Sequence, residues 1–145
     1  MRKSDPEHAN RGQASVEALL VLMILASVIF GGIELSRGVA IRQALDSSTA
    51  AAARALSLDP TQWSYSNSLV QQAVDQNVLG TGSTISLQIL DASGIARSSN
   101  WLAGSAFGTS FILEGSAPFQ AHIPFLPTNG IVIQIRHWGI VERYP

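Results

Sequence analysis

From Ala18 to Ile33 the chain runs sixteen residues without a charged side chain, and it enters that run through Arg11-Gly12-Gln13-Ala14-Ser15-Val16-Glu17. No other feature constrains the fold as strongly, because a helix is the form in which a long apolar segment satisfies its own backbone hydrogen bonds. The run covers about 24 Å as a helix, a little short of the ~20 apolar residues a membrane span usually takes. Val16 and Leu35 as flanks, with Glu17 and Glu34 reaching toward headgroups, make up the difference. A carboxylate at the mouth of such a helix is costly in lipid. Glu17 is therefore expected to stay near the interface or to find a partner once the helix leaves the bilayer.

Two other readings compete for the same run. A buried soluble helix would need protein on every side, since Ser27 is its one polar residue. With the first third of the 145 residues spent, roughly 85 remain to supply that cover. A secretory signal peptide would take Arg2, Lys3 and Arg11 as its basic region and Leu19 to Phe30 as its apolar region. No small-x-small triplet follows, however, and Gly31-Gly32 leads into Ile33-Glu34-Leu35 with the helical pattern continuing. Lysine and arginine counts leave orientation open, with Arg2, Lys3 and Arg11 before the run and Arg37, Arg42 and Arg54 after it.

The periodicity divides the chain into three parts. Residues 1–12 are polar, contain Pro6 and Gly12, and read as a flexible basic arm. Residues 13–58 read as one long helix, membrane-spanning in its first half, with Gly31 and Gly32 marking a bend or a place of close helix approach. Beyond Glu34 this helix turns amphipathic: Ile41, Leu45, Ser48, Ala52 and Leu56 recur at three- and four-residue steps, while Arg42, Asp46, Thr49 and Arg54 point elsewhere. Asp59-Pro60 stops it.

Residues 59–145 read as a small α+β domain. A short surface helix is expected from Ser66 to Asn77, ended by Gly80-Thr81-Gly82, and a half-buried strand at Thr84–Leu90, followed by a turn at Asp91–Gly94. Residues 92–110 read as a long surface loop pinned by Trp101 and Phe107. Further strands are expected at Phe111–Glu114, at Ala117–Ile123 and at Ile131–Val141. Pro118, Pro124 and Pro127 restrict the middle one to an edge or an irregular strand.

The chemistry of catalysis is missing. There is no cysteine, and His8, His122 and His137 have no neighbour at metal-ligand spacing. No serine sits in a nucleophile-elbow sequence. Gly80-Thr81-Gly82 lacks the lysine of a phosphate loop, and Asp75, Asp91 and Glu114 are dispersed. A net charge of -1, with scattered basic residues, also argues against a nucleic-acid partner. No enzyme, metal or cofactor is expected. Of the tryptophans, Trp63, Trp101 and Trp138, at least two are expected in core packing.

The block Arg11 to Leu25, continuing through Gly32-Ile33-Glu34-Leu35-Ser36-Arg37, resembles the TadE-like family of pseudopilins associated with tight-adherence (Flp, type IVb) pilus assembly. The resemblance implies a long helix followed by a small extracytoplasmic antiparallel sheet domain. It also implies that a membrane prepilin peptidase cuts between Gly12 and Gln13, making Glu17 the fifth residue of a 133-residue product. Glu17 would then neutralise the new N-terminal amine of a neighbouring subunit. Implied partners are that peptidase, other pilins or pseudopilins, the inner-membrane assembly platform and the lipid bilayer. The N-terminus would face the cytoplasm.

The late arginine of the family has a counterpart in Arg143. Two departures stand out. Ala18 occupies a position commonly aromatic, and the proline common in the apolar run is missing around Met23, which implies a straighter helix. The alternative left open is an uncleaved single-span envelope protein whose outer domain binds another envelope component.

Overall fold

The computed structural model describes residues 6–77, 84–127 and 129–142. Its first element, α1, is one helix from Pro6 to Leu58. Its 53 residues make a rod of about 80 Å. Helix therefore begins inside the segment expected to be a flexible arm. A proline suits the first helical position, where no N–H is needed and φ is already near the helical value. Arg2 and Lys3, read as part of that arm, lie outside the described residues. The helix continues without interruption through Gly31 and Gly32 and stops just before Asp59-Pro60, as the sequence predicts. The Asp59 carboxylate then accepts from the Thr61 N–H and hydroxyl at 3.1 and 2.6 Å, holding the turn into the next helix.

The second half of α1 carries the core. Ile41, Ala44, Leu45, Ser48, Ala52, Ala53, Leu56 and Ser57 are buried, and the expected stripe is contained in this set. Thr49 corrects the expectation that put it on the polar side: it is fully buried. Four residues beyond Leu45 and three before Ala52, it shares their face. Its hydroxyl meets the sheet at Gly115, where an added Cβ would stand 2.6 Å from Oγ1. The missing side chain of Gly115 is what lets helix and sheet approach this closely.

Helix α2, Trp63–Asn77, folds back on α1 and buries Ser66, Val70 and Val74. It starts three residues earlier than predicted, with Trp63 packed against the core. Val78 and the expected stop at Gly80-Thr81-Gly82 lie outside the described residues.

Four antiparallel strands follow: β1 (Ser86–Asp91), β2 (Ala96–Arg97), β3 (Ser110–Phe119) and β4 (Ile131–Ile140), in the order β2-β1-β3-β4. The small antiparallel sheet after a long apolar helix is thus the fold the sequence predicts. On its inner face Ile89, Phe111, Leu113, Ala117 and Val141 close the core against α1, with Leu87, Phe119, Ile133 and Ile135 packed alongside. On the outer face Leu90, Ile112 and Trp138 stand in one cross-strand row. Leu90 and Ile112 are buried, whereas Trp138 at the edge is 66% exposed.

Three local expectations change. The loop expected over 92–110 contains β2 and a short helix, α3, Ser99–Ala103, whose N-cap Ser98 accepts from the Trp101 N–H. Trp101 packs against the core, as expected, but Phe107 is half exposed. The two strands expected at Phe111–Glu114 and Ala117–Ile123 are one strand, β3, ending at Phe119. Pro118 is tolerated there because β1 pairs with β3 only as far as Ser116, so the proline has a neighbour on the β4 side alone.

Asp91 organises the β1–β2 turn. Its Oδ1 accepts from the N–H groups of Ser93 and Ile95 at 2.9 and 3.0 Å, while Arg97 donates to Oδ2 at 2.8 and 3.0 Å. Chiefly the Ile95 N–H, with Arg97 and the Ser93 N–H, holds the carboxyl below its ordinary value of 3.8 against the opposing effect of burial. A lowered folded-state pKa means that this stabilisation is complete above the ordinary value and is lost as pH falls through the lowered one. The urea midpoint of Asp91→Asn is therefore expected below wild type at pH 7, with the gap closing on acidification below about 3.8. A gap independent of pH would contradict the assignment.

Candidate processing, membrane and assembly segment

Every site residue predicted from the sequence falls on α1. Gly12, Gln13 and Glu17 lie on its first turns and are exposed. Gln13 and Glu17, four residues apart, share a face. Among the described residues Glu17 has no hydrogen-bond or ion-pair partner. The Gly12–Gln13 bond is helical, so a peptidase that needs extended backbone must first open this turn. Glycine lowers the cost of doing so.

The apolar run that follows has little protein around it. From Leu19 to Phe30 the large apolar side chains are 42–67% exposed. Mean hydropathy over the most apolar window of eighteen residues is 2.5, and none of that window is buried. Ser27, the polar exception, donates its hydroxyl to the Met23 carbonyl at 2.9 Å and so needs no outside partner. Gly31 is half-buried: Ile123 Cδ1 would lie 3.8 Å from a Cβ placed on it. Gly32 is open, and its carbonyl accepts from Ser36 Oγ at 2.9 Å. The contact made at Gly31 is thus with the chain's own β3–β4 connection.

At the far end of the run the structure shows a feature the sequence reading missed. Glu34, expected to reach for headgroups, is only 8% exposed and forms an ion pair with Arg37 Nη1, 2.9 Å from each carboxylate oxygen. Their i, i+3 spacing was a signal that could have found the pair. The two ends of the apolar run therefore differ, with an unpaired exposed carboxylate at Glu17 and a neutralised one at Glu34.

Charges on the sheet domain are also paired. Arg136 meets Glu114 across β3 and β4, Arg54 meets Glu142 at 2.6 Å, and His137 Nε2 lies 2.8 Å from Asp46 Oδ1 on α1. His122 is exposed. Among the described residues no three His, Cys, Asp or Glu side chains group to hold a metal ion.

Fold and site together define a small α+β protein with, among the described residues, a single helix, near the N-terminus, long and apolar enough to cross a membrane. The sequence profile of TadE-like proteins matches residues 12–54. No curated protein and no solved structure matches the chain. The family match begins at Gly12 and ends within the buried stripe of α1, so it takes in the exposed run and the first part of the packed helix.

Proposed function

We propose that this protein is a non-catalytic minor pilin or pseudopilin: processed after Gly12, held in the cytoplasmic membrane by α1, and assembled into a tight-adherence type pilus or a related secretion system. One observation carries the reading. The TadE-like segment takes in an uncovered apolar helix that begins with the exposed Glu17, which has no partner among the described residues. A helix stripped of protein cover suits lipid first and other subunits' helices afterwards. The α1 half that bears the sheet domain would stand outside the membrane, and residues 1–12 would face the cytoplasm as the leader.

The test is the N-terminus and intact mass of protein extracted from membranes, expressed with and without its cognate prepilin peptidase. The expected result is a chain starting at Gln13 only when the peptidase is present. A leader retained in both cases would favour the uncleaved single-span envelope protein. Cleavage after Phe30 would make the run a signal peptide.

A further inference from the structure

We propose that the tip of the β3–β4 connection, residues 123–126, is a second lipid-embedded element that enters the leaflet nearest the sheet domain beside α1. The inference rests on the reading of α1 as a membrane span.

Position is the first argument. Leu126 lines a cleft with Leu20, Met23, Ile24, Ser27 and Val28, and Ile123 lies against Gly31. Measured from Glu34, those cleft residues lie about 10–20 Å down the helix axis. A bilayer that covers the apolar run thus also reaches the level of the tip.

The chemistry of the tip agrees. Phe125 is 69% and Leu126 55% exposed, an arrangement costly in water. Between Glu114 and Arg136 the connection and the strand ends that carry it contain no Asp, Glu, Lys or Arg. On both elements the charged side chains stop on the same side: Glu34 and Arg37 on the helix, Glu114 and Arg136 on the hairpin.

Backbone polarity is the main obstacle to placing a loop in lipid. The tip reduces it. Pro124 and Pro127 have no N–H, and the Leu126 N–H donates to the Ile123 carbonyl at 3.2 Å. Only Ile123 and Phe125 bring further N–H groups to this stretch. Phe125 is held at φ 66°, in the left-handed region that bulky residues avoid, with its ring exposed. The occupant is taken as lipid because the cleft is continuous with a helix surface whose large apolar side chains are exposed from Leu19 to Phe30.

The absence of cysteine allows site-directed spin labels on the full chain in phosphatidylcholine–phosphatidylglycerol vesicles. Labels are placed at Ile24→Cys, Leu126→Cys and Gln72→Cys, with Phe125→Cys as a second report on the tip. The expected result is that labels at 24, 125 and 126 collide with oxygen more than with a water-soluble nickel chelate, while the label at 72 does the reverse. Lipid exposure at 24 with aqueous exposure at 125 and 126 would overturn the inference and leave the span intact. Aqueous exposure at 24 would overturn both. Protection of 126 from both collision partners would show that a second protein chain, not lipid, fills the cleft.

Discussion

Replacing Gly139 by valine is expected to destabilise the sheet domain by about 3 kcal/mol, the upper end of the range for overpacking a core. Gly139 stands opposite Phe111 in the β3–β4 register, and the ring of Phe111 occupies the space a side chain would fill. Phe111 is fully buried among residues of α1 and the sheet, and a densely packed core gives the ring nowhere to retreat. Strand propensity predicts the opposite sign, since valine is favoured in strands and glycine is not. The direction of the change therefore separates packing from propensity. A loss of this size is a large share of the about 5–15 kcal/mol that keeps a domain folded.

The measurement is a urea unfolding curve in detergent for Gly139→Val, Phe111→Ala and the double variant. Phe111→Ala alone should cost about 3–5 kcal/mol through the cavity it leaves. In the double variant the valine enters that cavity, so the cost should be well below the sum of the two. Additive losses, or a Gly139→Val protein as stable as wild type, would show that the two positions do not share one space.

The long-range parts of this packing explain where sequence reasoning stopped. The stripe Ile41, Leu45, Ser48, Ala52, Leu56 was legible because a helix repeats its face every three or four residues. Asp59-Pro60 was legible because proline acts on its immediate neighbour. The alternation of β4 was legible for the same local reason. Thr49 was assigned by its polarity when its spacing was the stronger signal. Helix α3 depends on Ser98 as a cap and Trp101 as an anchor, within a composition that otherwise reads as loop.

The two expected strands around Gly115-Ser116 are one strand, in which the glycine marks a close approach of helix and sheet at Thr49 and not a break. Nothing local brings Leu126 to Ile24; that proximity follows from the direction in which β3 crosses α1. The lack of charge from Gly115 to Ile135 was its one trace in the sequence. Gly12, Gln13 and Glu17 stood out as a pattern of residue types, and the structure places all three on the exposed early part of α1. The pairing of Glu34 with Arg37, which makes the two ends of the apolar run unlike, was open to the same local reasoning through its i, i+3 spacing, whereas the burial of Glu34 needed three dimensions.

That asymmetry bears on the second large effect. Glu17→Ala is expected to abolish incorporation into filaments while leaving the protein in the membrane. The two outcomes separate because the carboxylate works against insertion: removing a charge from the end of an apolar helix makes the helix easier to hold in lipid. Nor does the folded domain depend on it, since Glu17 is exposed and lies far from the buried stripe that begins at Ile41. In a filament the circumstances reverse. Helices pack against helices, water is excluded, and a carboxylate is tolerated only with a cation beside it; the amine released at Gln13 of a neighbouring subunit is the partner the pilin-like reading supplies. An amine left alone in that environment costs about 3 kcal/mol or more, on the order of a hundredfold in association constant. Glu34 cannot substitute, because Arg37 of its own helix already neutralises it. The measurement is the fraction of subunit in sheared filaments against that in the membrane, for wild type, Glu17→Ala and Glu17→Gln. Both variants should be confined to the membrane, with Glu17→Gln showing that charge rather than size is needed. Wild-type filament incorporation by Glu17→Ala would remove the carboxylate from assembly and leave the apolar surface of α1 to account for it alone.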